Sequence, residues 1–265
     1  MTERILVFIP AYRCAAQIGR VLAQFSPEIK NRVTEILIVE NRSPDDTLAA
    51  AVSAAKSVTG IGITVVQNTE NYSLGGSHKV AFAYAIERDF DYLIVLHGDD
   101  QGSIGDLIPQ LDLGVHRECD SLLGARFAPG AKLVGYSTFR TFGNIVFNTL
   151  ISLVMWHKVY DMGSGLNMYK VSFLKTNFYN HFPNNLTFNV YMLYYSLWRK
   201  SPTLFFPLSW REDDQLSNAK IFRQAWIILG LTWRYITNAE ALFSTSGKPA
   251  NKYSSQVAFQ NNKSS

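Results

Sequence analysis

From residue 5 to residue 125 the chain alternates short apolar, β-rich runs with stretches of helical periodicity, and few folds accept that pattern. Residues 5–9 (Ile-Leu-Val-Phe-Ile) lead into a helical stretch at 17–25. Residues 35–39 lead through Asn41, Arg42, Ser43 and Pro44 into an alanine-rich helix at 46–57. Residues 62–67 precede a glycine-containing turn and a helix at 77–89. Residues 92–96 precede a polar loop and a helix at 104–113, and the run at 121–125 closes the series. Strand and helix alternating across short connections make βαβ units, hence a mostly parallel sheet covered on both faces. Right-handed crossovers wind such units into an α/β, Rossmann-like doubly wound layer.

The second half reads differently. A helix-compatible stretch at 139–156 is followed by a strand at 166–169, a helix at 189–199, a strand at 203–207 and a charged loop at 210–218. No linker or internal repeat divides the chain. Residues 1–219 are therefore expected to form one α/β domain, followed by a helical C-terminal part at 220–243. The polar tail at 244–265 has the composition of disorder.

Composition excludes several classes. Of the 265 residues, 47% are hydrophobic and only 17% charged, which is core-forming material rather than a disordered chain. Two cysteines, Cys14 and Cys119, without a Cys/His cluster, argue against a disulfide framework or a zinc site. The net charge of +4, with no basic run of five or more, points away from nucleic acid; anionic membranes and phosphorylated ligands stay open. The apolar core at 5–9 is too short for a signal peptide and ends at Pro10, so the chain reads as cytosolic. The two longest apolar stretches, 145–156 and 225–233, fall short of a membrane span, though either could lie in a membrane surface.

In open parallel sheets, ligands bind beyond the carboxyl ends of the strands. The residues following each expected strand are Pro10, Ala11 and Tyr12; Glu40 to Asp45; His97, Gly98, Asp99, Asp100 and Gln101; and Arg126 with Phe127. Polar groups thus collect on one rim. The sharpest of these segments is His97-Gly98-Asp99-Asp100-Gln101, where alternating imidazole and oxygen groups on an extended segment form a partial cage for a divalent cation. A polar turn ending a strand is the plain structural alternative. Neither G-x-G-x-x-G after the first strand nor G-x-x-x-x-G-K-[ST] occurs, against dinucleotide and P-loop sites.

Taken in order, six segments resemble the family 2 glycosyltransferases, which have the GT-A fold. They are Phe8 to Tyr12, Ile38 to Thr47, Leu74 to Ser77, His97 to Gln101, Gly124 to Phe127, and Asp161 to Gly165, continued by Trp210, Arg211 and Glu212 with Ser217 and Lys220. The nearest branch in pattern is dolichyl-phosphate mannose synthase with the bacterial polyprenyl-phosphate glycosyltransferases. The resemblance implies a nucleotide-sugar donor (a UDP- or GDP-sugar) bound by Pro10, Ala11, Tyr12, Glu40, Gly76, Gly98, Asp99, Arg211 and Lys220. It implies Mg²⁺ or Mn²⁺ held by His97, Asp99 and Gln101, with His97 in the place of the first acid of the family's D-x-D. Asp99, Asp161, Arg126 and Arg211 would be the catalytic group, with Asp161 touching the transferred sugar or organising the acceptor site. Two departures stand out: an imidazole replaces a carboxylate at His97, and Glu40-Asn41 replaces an aspartate pair.

Three readings follow. The first is a metal-dependent, inverting transferase acting on polyprenyl phosphate. The second is a transferase acting on a glycan hydroxyl, which needs a general base, for which Asp161 is the best residue. The third is a non-catalytic nucleotide-sugar-binding domain. His78 and Lys79 are read first as a solvated first helical turn, with an approach to phosphate through the helix N-terminus as the alternative. The aromatic positions Tyr191, Tyr194, Tyr195 and Trp198 are read first as a core face and second as an acceptor groove. As a helix, 220–243 aligns Phe222, Ala225, Trp226, Leu229, Trp233 and Ile236 on one stripe. That stripe suits a peripheral position at the cytoplasmic face of a membrane; packing on the sheet and a homo-oligomer interface are the alternatives.

Overall fold

The computed structural model describes residues 3–212, 221–244 and 253–261. Its strands are β1 (Ile5–Ala11), β2 (Glu35–Glu40), β3 (Gly62–Asn68), β4 (Tyr92–Leu96), β5 (Ser121–Ala125), β6 (Lys132–Val134), β7 (Leu166–Lys170), β8 (Thr203–Pro207), β9 (Ser209–Arg211) and β10 (Ser255–Asn261). The helices are α1 (Ile18–Ala23), α2 (Pro27–Lys30), α3 (Thr47–Lys56), α4 (Ser73–Glu87), α5 (Ile108–Asp112), α6 (Thr138–Met155), α7 (Val171–Leu174), α8 (Phe188–Trp198) and α9 (Ile221–Phe243).

Eight strands form one sheet in the order β10-β3-β2-β1-β4-β7-β5-β8. The four strands β3, β2, β1 and β4 are parallel, as the alternating pattern requires. Their side chains alternate between two cores. Val7, Ile9, Ile36 and Ile38 pack with Val21, Ala51 and Ala55 on one face. Leu6, Phe8, Leu37 and Val39 pack with Phe82, Phe188 and Tyr194 on the other. Burial on both faces is why these strands read as unbroken apolar runs rather than as alternation.

Three features depart from the sequence reading. β7 enters between β4 and β5 antiparallel to both, so the sheet is mixed beyond its central four strands. Part of the expected charged loop is β9, paired with the short β6. Within the tail assigned to disorder, residues 255–261 form β10, antiparallel on β3. Polar composition hid that strand, because its stability comes from backbone hydrogen bonds to an otherwise open edge. Phe259 is its main apolar contact with the core.

Helix α9 turns Ile228, Leu231 and Thr232 inward, and the Thr232 hydroxyl lies 2.6 Å from that of Tyr194. Its helical geometry is interrupted at Asn238, whose side-chain oxygen accepts from the Ala241 amide at 2.9 Å and so caps the resumed turn. The stripe predicted for this helix faces outward, with Trp226, Trp233 and Ile236 exposed. Helix α6 likewise buries Asn148, Ile151 and Met155 and exposes Phe139, Phe142 and Leu153. Among the described residues no helix is long and apolar enough to cross a membrane.

Phe82 is fully buried, with its ring centroid 4.8 Å from that of Tyr179. Phe82→Ala should therefore lower the unfolding free energy by about 3–5 kcal/mol. Urea titration of both proteins measures this; a loss below about 1 kcal/mol would mean that α4 is not anchored through this ring.

Candidate active site

A cavity of about 400 Å³ opens between the carboxyl ends of β1 and β4. From β1 the chain crosses to β2 on one side, while β4 lies on the other, so this is the point where strand order reverses. Pro10, Ala11 and Tyr12 line it from β1, and His97, Gly98 and Asp99 from β4. A Cβ on Gly98 would fall 2.9 Å from the Pro10 carbonyl oxygen and 3.2 Å from the Cys14 sulfur, so only glycine lets the two rims approach. Cys14 is buried there, and burial pushes its thiol up to about 12, which leaves it inert.

An amide network builds the next wall. The Asn41 side-chain NH₂ donates to Asn71 Oδ1 at 3.0 Å, and its Oδ1 accepts from Asn68 Nδ2 and from the Tyr72 amide, both at 2.9 Å. Asn71 Oδ1 also accepts from the Ser73 amide at 2.9 Å. Asn41, Asn71, Ser73, Leu74 and Ser77 all line the cavity. Glu40, the expected nucleotide contact, does not. Fully buried, it accepts from the Ser43 amide at 2.5 Å and from Gln67 Nε2 at 2.9 Å, tying the β2 turn to β3. Gly76 is also absent from the lining: a Cβ there would meet Tyr72 Cβ at 2.3 Å, so this glycine serves packing.

His97 and Asp99 both line the cavity. The His97 amide donates to the Gly165 carbonyl at 2.9 Å, and a Cβ on Gly165 would crowd the imidazole at 3.0 Å. Among the described residues His97 Nε2 is buried with no hydrogen-bond partner, and burial holds the ring below its ordinary pKa, so it is neutral at pH 7. Among the described residues Asp99 Oδ1 accepts one long bond, 3.3 Å from the Gln101 amide. A carboxylate and an imidazole on the same stretch of cavity wall are the kinds of group that could hold a divalent cation, the imidazole after turning its buried nitrogen outward. Among the described residues no cluster of three His, Cys, Asp or Glu forms a complete cage, so phosphate oxygens and water would have to fill the remaining positions. Gln101 does not line the cavity; its carbonyl instead accepts from the Arg211 amide at 3.0 Å.

Arg211 and Asp161 are each engaged elsewhere. Arg211 Nε donates to the Asp100 carbonyl at 2.9 Å, and its guanidinium pairs with the buried Asp100 carboxylate. That carboxylate also accepts from Arg20 Nε at 2.7 Å and Gln24 Nε2 at 3.0 Å. Arg126 and Asp161 form a forked pair, Nε to Oδ2 at 2.8 Å and Nη2 to Oδ1 at 2.9 Å, and the Arg126 and Gly163 amides add two more bonds to the carboxylate. Burial alone would raise the Asp161 carboxyl, but the Arg126 charge and hydrogen bonds outweigh it and hold the group below its ordinary value. Neither Arg126 nor Asp161 lines the cavity. Lys220 and Ser217 lie outside the described residues.

Sequence reasoning missed three side chains. Asp100, which joins α1, the β4 loop and β9, was hidden beside Asp99. Lys79 and His78 were read as a solvated turn and are both buried. Burial drives His78 down to about 3; with Nδ1 bonded to the Leu74 carbonyl at 2.9 Å, its Nε2 has no partner among the described residues. Their signal was the pair Gly75-Gly76, whose missing side chains let Pro183, Asn184 and Phe188 on one side and Tyr72 and Tyr253 on the other close over the first turns of α4.

This arrangement of sheet, rim and cavity is that of a glycosyltransferase with the GT-A fold. Residues 6–178 match glycosyl transferase family 2, and the chain belongs to that family. It is 23% identical over 172 residues to the undecaprenyl-phosphate mannosyltransferase of Micrococcus luteus, covering 65% of this chain and 68% of that one. In structure it resembles glucosyl-3-phosphoglycerate synthase from Mycobacterium tuberculosis bound to UDP, at a TM-score of 0.64 and 15% identity over 92% of this chain and 82% of that one. It also resembles a mannosyltransferase from Pyrobaculum calidifontis in complex with GDP-Man and Mn²⁺, at a TM-score of 0.63 and 14% identity over 94% of this chain and 67% of that one.

Two outcomes are expected. Asp161→Ala leaves a buried guanidinium unpaired and should destabilise the fold by about 3–5 kcal/mol; a variant as stable as wild type by urea titration would remove the structural role of the pair. His78 stays neutral in the folded protein while the unfolded chain takes up a proton near pH 6.5, so stability should fall as pH drops from 6.5 toward 3. Between pH 6.5 and 5 that slope approaches about 1.4 kcal/mol per pH unit. His78→Phe should flatten it in unfolding titrations, and an unchanged slope would place the proton uptake elsewhere.

Proposed function

We propose that the protein is a divalent-metal-dependent, inverting glycosyltransferase that moves a sugar from a UDP- or GDP-sugar onto a polyprenyl phosphate at a membrane surface. The observation that carries the acceptor assignment is the engagement of Asp161. Transfer to a sugar hydroxyl needs a general base, and the carboxylate best placed for it in the sequence is tied up by Arg126 and two backbone amides. A phosphate acceptor is already an anion and needs none. The name of the Micrococcus luteus relative agrees with such an acceptor.

On this reading the donor lies across the β1 and β4 rims, with its base and ribose by Pro10, Ala11, Tyr12 and Asn41 and its diphosphate by Gly98 and Asp99. Asp99 and His97 would hold Mg²⁺ or Mn²⁺, which when bound neutralises charge on the departing diphosphate. The chain supplies more positive charge nearby: two guanidiniums, of Arg20 and Arg211, converge on the single carboxylate of Asp100. Catalysis then consists of holding the acceptor phosphate oxygen in line with the anomeric carbon while the nucleoside diphosphate leaves. The exposed apolar faces of α6 and α9 would rest on the bilayer that holds the acceptor, placing the enzyme at its cytoplasmic face.

The test supplies radiolabelled nucleotide sugars, polyprenyl phosphate and Mn²⁺ or Mg²⁺, and follows label into the organic phase. Asp99→Ala should abolish that transfer, a loss of at least about a hundredfold, while leaving the melting temperature unchanged. Near-wild-type turnover in the variant would refute the metal site, and label appearing only on water-soluble glycan would refute the acceptor.

A further inference from the structure

Lys79 is a buried ammonium whose hydrogen-bond partners among the described residues are neutral oxygens. Its three N–H groups are shared among four oxygens within hydrogen-bonding distance: the Phe182 carbonyl at 2.6 Å, Asn184 Oδ1 at 2.8 Å, the Asn180 carbonyl at 3.1 Å and the Tyr253 hydroxyl at 3.2 Å. Three segments far apart in sequence therefore meet on one charge: α4, the loop before α8, and the residues leading into β10. Tyr253 closes the arrangement by donating from its hydroxyl to Asn184 Oδ1 at 2.8 Å. Its ring stands edge-on to Tyr72 at 5.1 Å and covers the bare backbone of Gly76, where a Cβ would approach it to 3.2 Å.

The loop held in this way is a wall of the cavity. Asn184 accepts through its carbonyl from the Gly75 amide at 2.6 Å, and the next two residues, Asn185 and Leu186, line the cavity opposite the β1 rim. On the other side of Tyr253, Ser254 is bonded through its carbonyl to the Thr69 amide at 3.0 Å, just before the cavity residue Asn71.

We propose that the C-terminal strand is a working part of the donor site, with Tyr253 as a positioning residue that sets the 183–187 wall through Asn184 and Lys79. This rests on reading the cavity as the nucleotide-sugar site. A hydroxyl shared between a buried ammonium and an amide oxygen is a charge-assisted contact, stronger than a neutral hydrogen bond. Its loss releases the wall without removing any residue that faces the ligand.

The experiment measures binding of UDP and of GDP, each with Mn²⁺, by calorimetry on the full-length chain. Wild type is compared with Tyr253→Phe, Tyr253→Ala and Val257→Ala, the last an exposed residue on the same strand. Hydrogen exchange of residues 184–187 and thermal melting are measured in parallel. Tyr253→Ala should raise Kd about tenfold and speed exchange at 184–187, and Tyr253→Phe should do so by about threefold. Val257→Ala should match wild type in both readouts, and all four proteins should remain folded. Wild-type Kd in a folded Tyr253→Ala overturns the proposal, even if exchange is faster. Equal weakening in Val257→Ala also overturns it, because strand stability alone would then explain the loss. If wild type binds neither nucleotide, the donor-site reading itself fails and the proposal falls with it; binding by wild type with no effect of Tyr253 removes the proposal alone.

Discussion

The parallel pairing of β1 between β2 and β4 is the constraint from which the rest of the structure follows. Pro10 stands opposite Val39 and Phe8 opposite Val95, with side chains buried on both sheet faces. A slip of one residue would exchange two complete apolar cores, so the register is firmly set. Once it is set, the carboxyl ends of the strands lie together on one edge, and whatever polar residue follows each strand is delivered there. Gly98 passing the Pro10 carbonyl, with its amide bonded there at 3.2 Å, is one close point of that convergence.

The parts of this protein legible in the sequence are those governed by periodicity and strand ends. The four parallel strands, the helices between them, and the presence of Pro10, Ala11, Tyr12, His97, Gly98 and Asp99 at the cavity follow from that logic. What stayed hidden depends on where side chains turn after the backbone has been placed. Glu40 and Asn41 are neighbours on one strand end, yet the carboxylate turns back to Ser43 and Gln67 while the amide lines the cavity. Arg211 is on the correct edge but is engaged by Asp100, a residue whose importance depends on the distant Arg20 and Gln24. β10 escaped because pairing with an open strand edge needs little hydrophobicity and leaves almost no compositional trace.

Two ion-pair centres built on buried carboxylates tie the rim together in different ways. Arg126 and Asp161 form a closed fork that joins the end of β5 to the turn before β7, and it is neutral overall. Asp100 joins α1, the β4 loop and β9 but carries two guanidiniums on one carboxylate, which leaves a unit of positive charge beside Asp99. Asp100 also adopts a positive φ of 60°, a conformation that aspartate accepts more readily than bulkier residues. One centre sets geometry and the other sets field. Substitutions at them should therefore fail differently, the first through folding and the second through attraction of anions.

The added strand has a further consequence for how the protein behaves in company. Without β10, the β3 edge would present a row of free amides and carbonyls, the kind of template on which chains pair with one another. β10 covers that row and becomes the new edge, but it is a poor template in its turn. Its register breaks between Val257 and Phe259, and Ser255, Gln256, Gln260 and Asn261 replace apolar residues along it. An interrupted, polar border resists further strand addition. The same short segment that braces the cavity thus keeps neighbouring copies of the sheet from joining edge to edge.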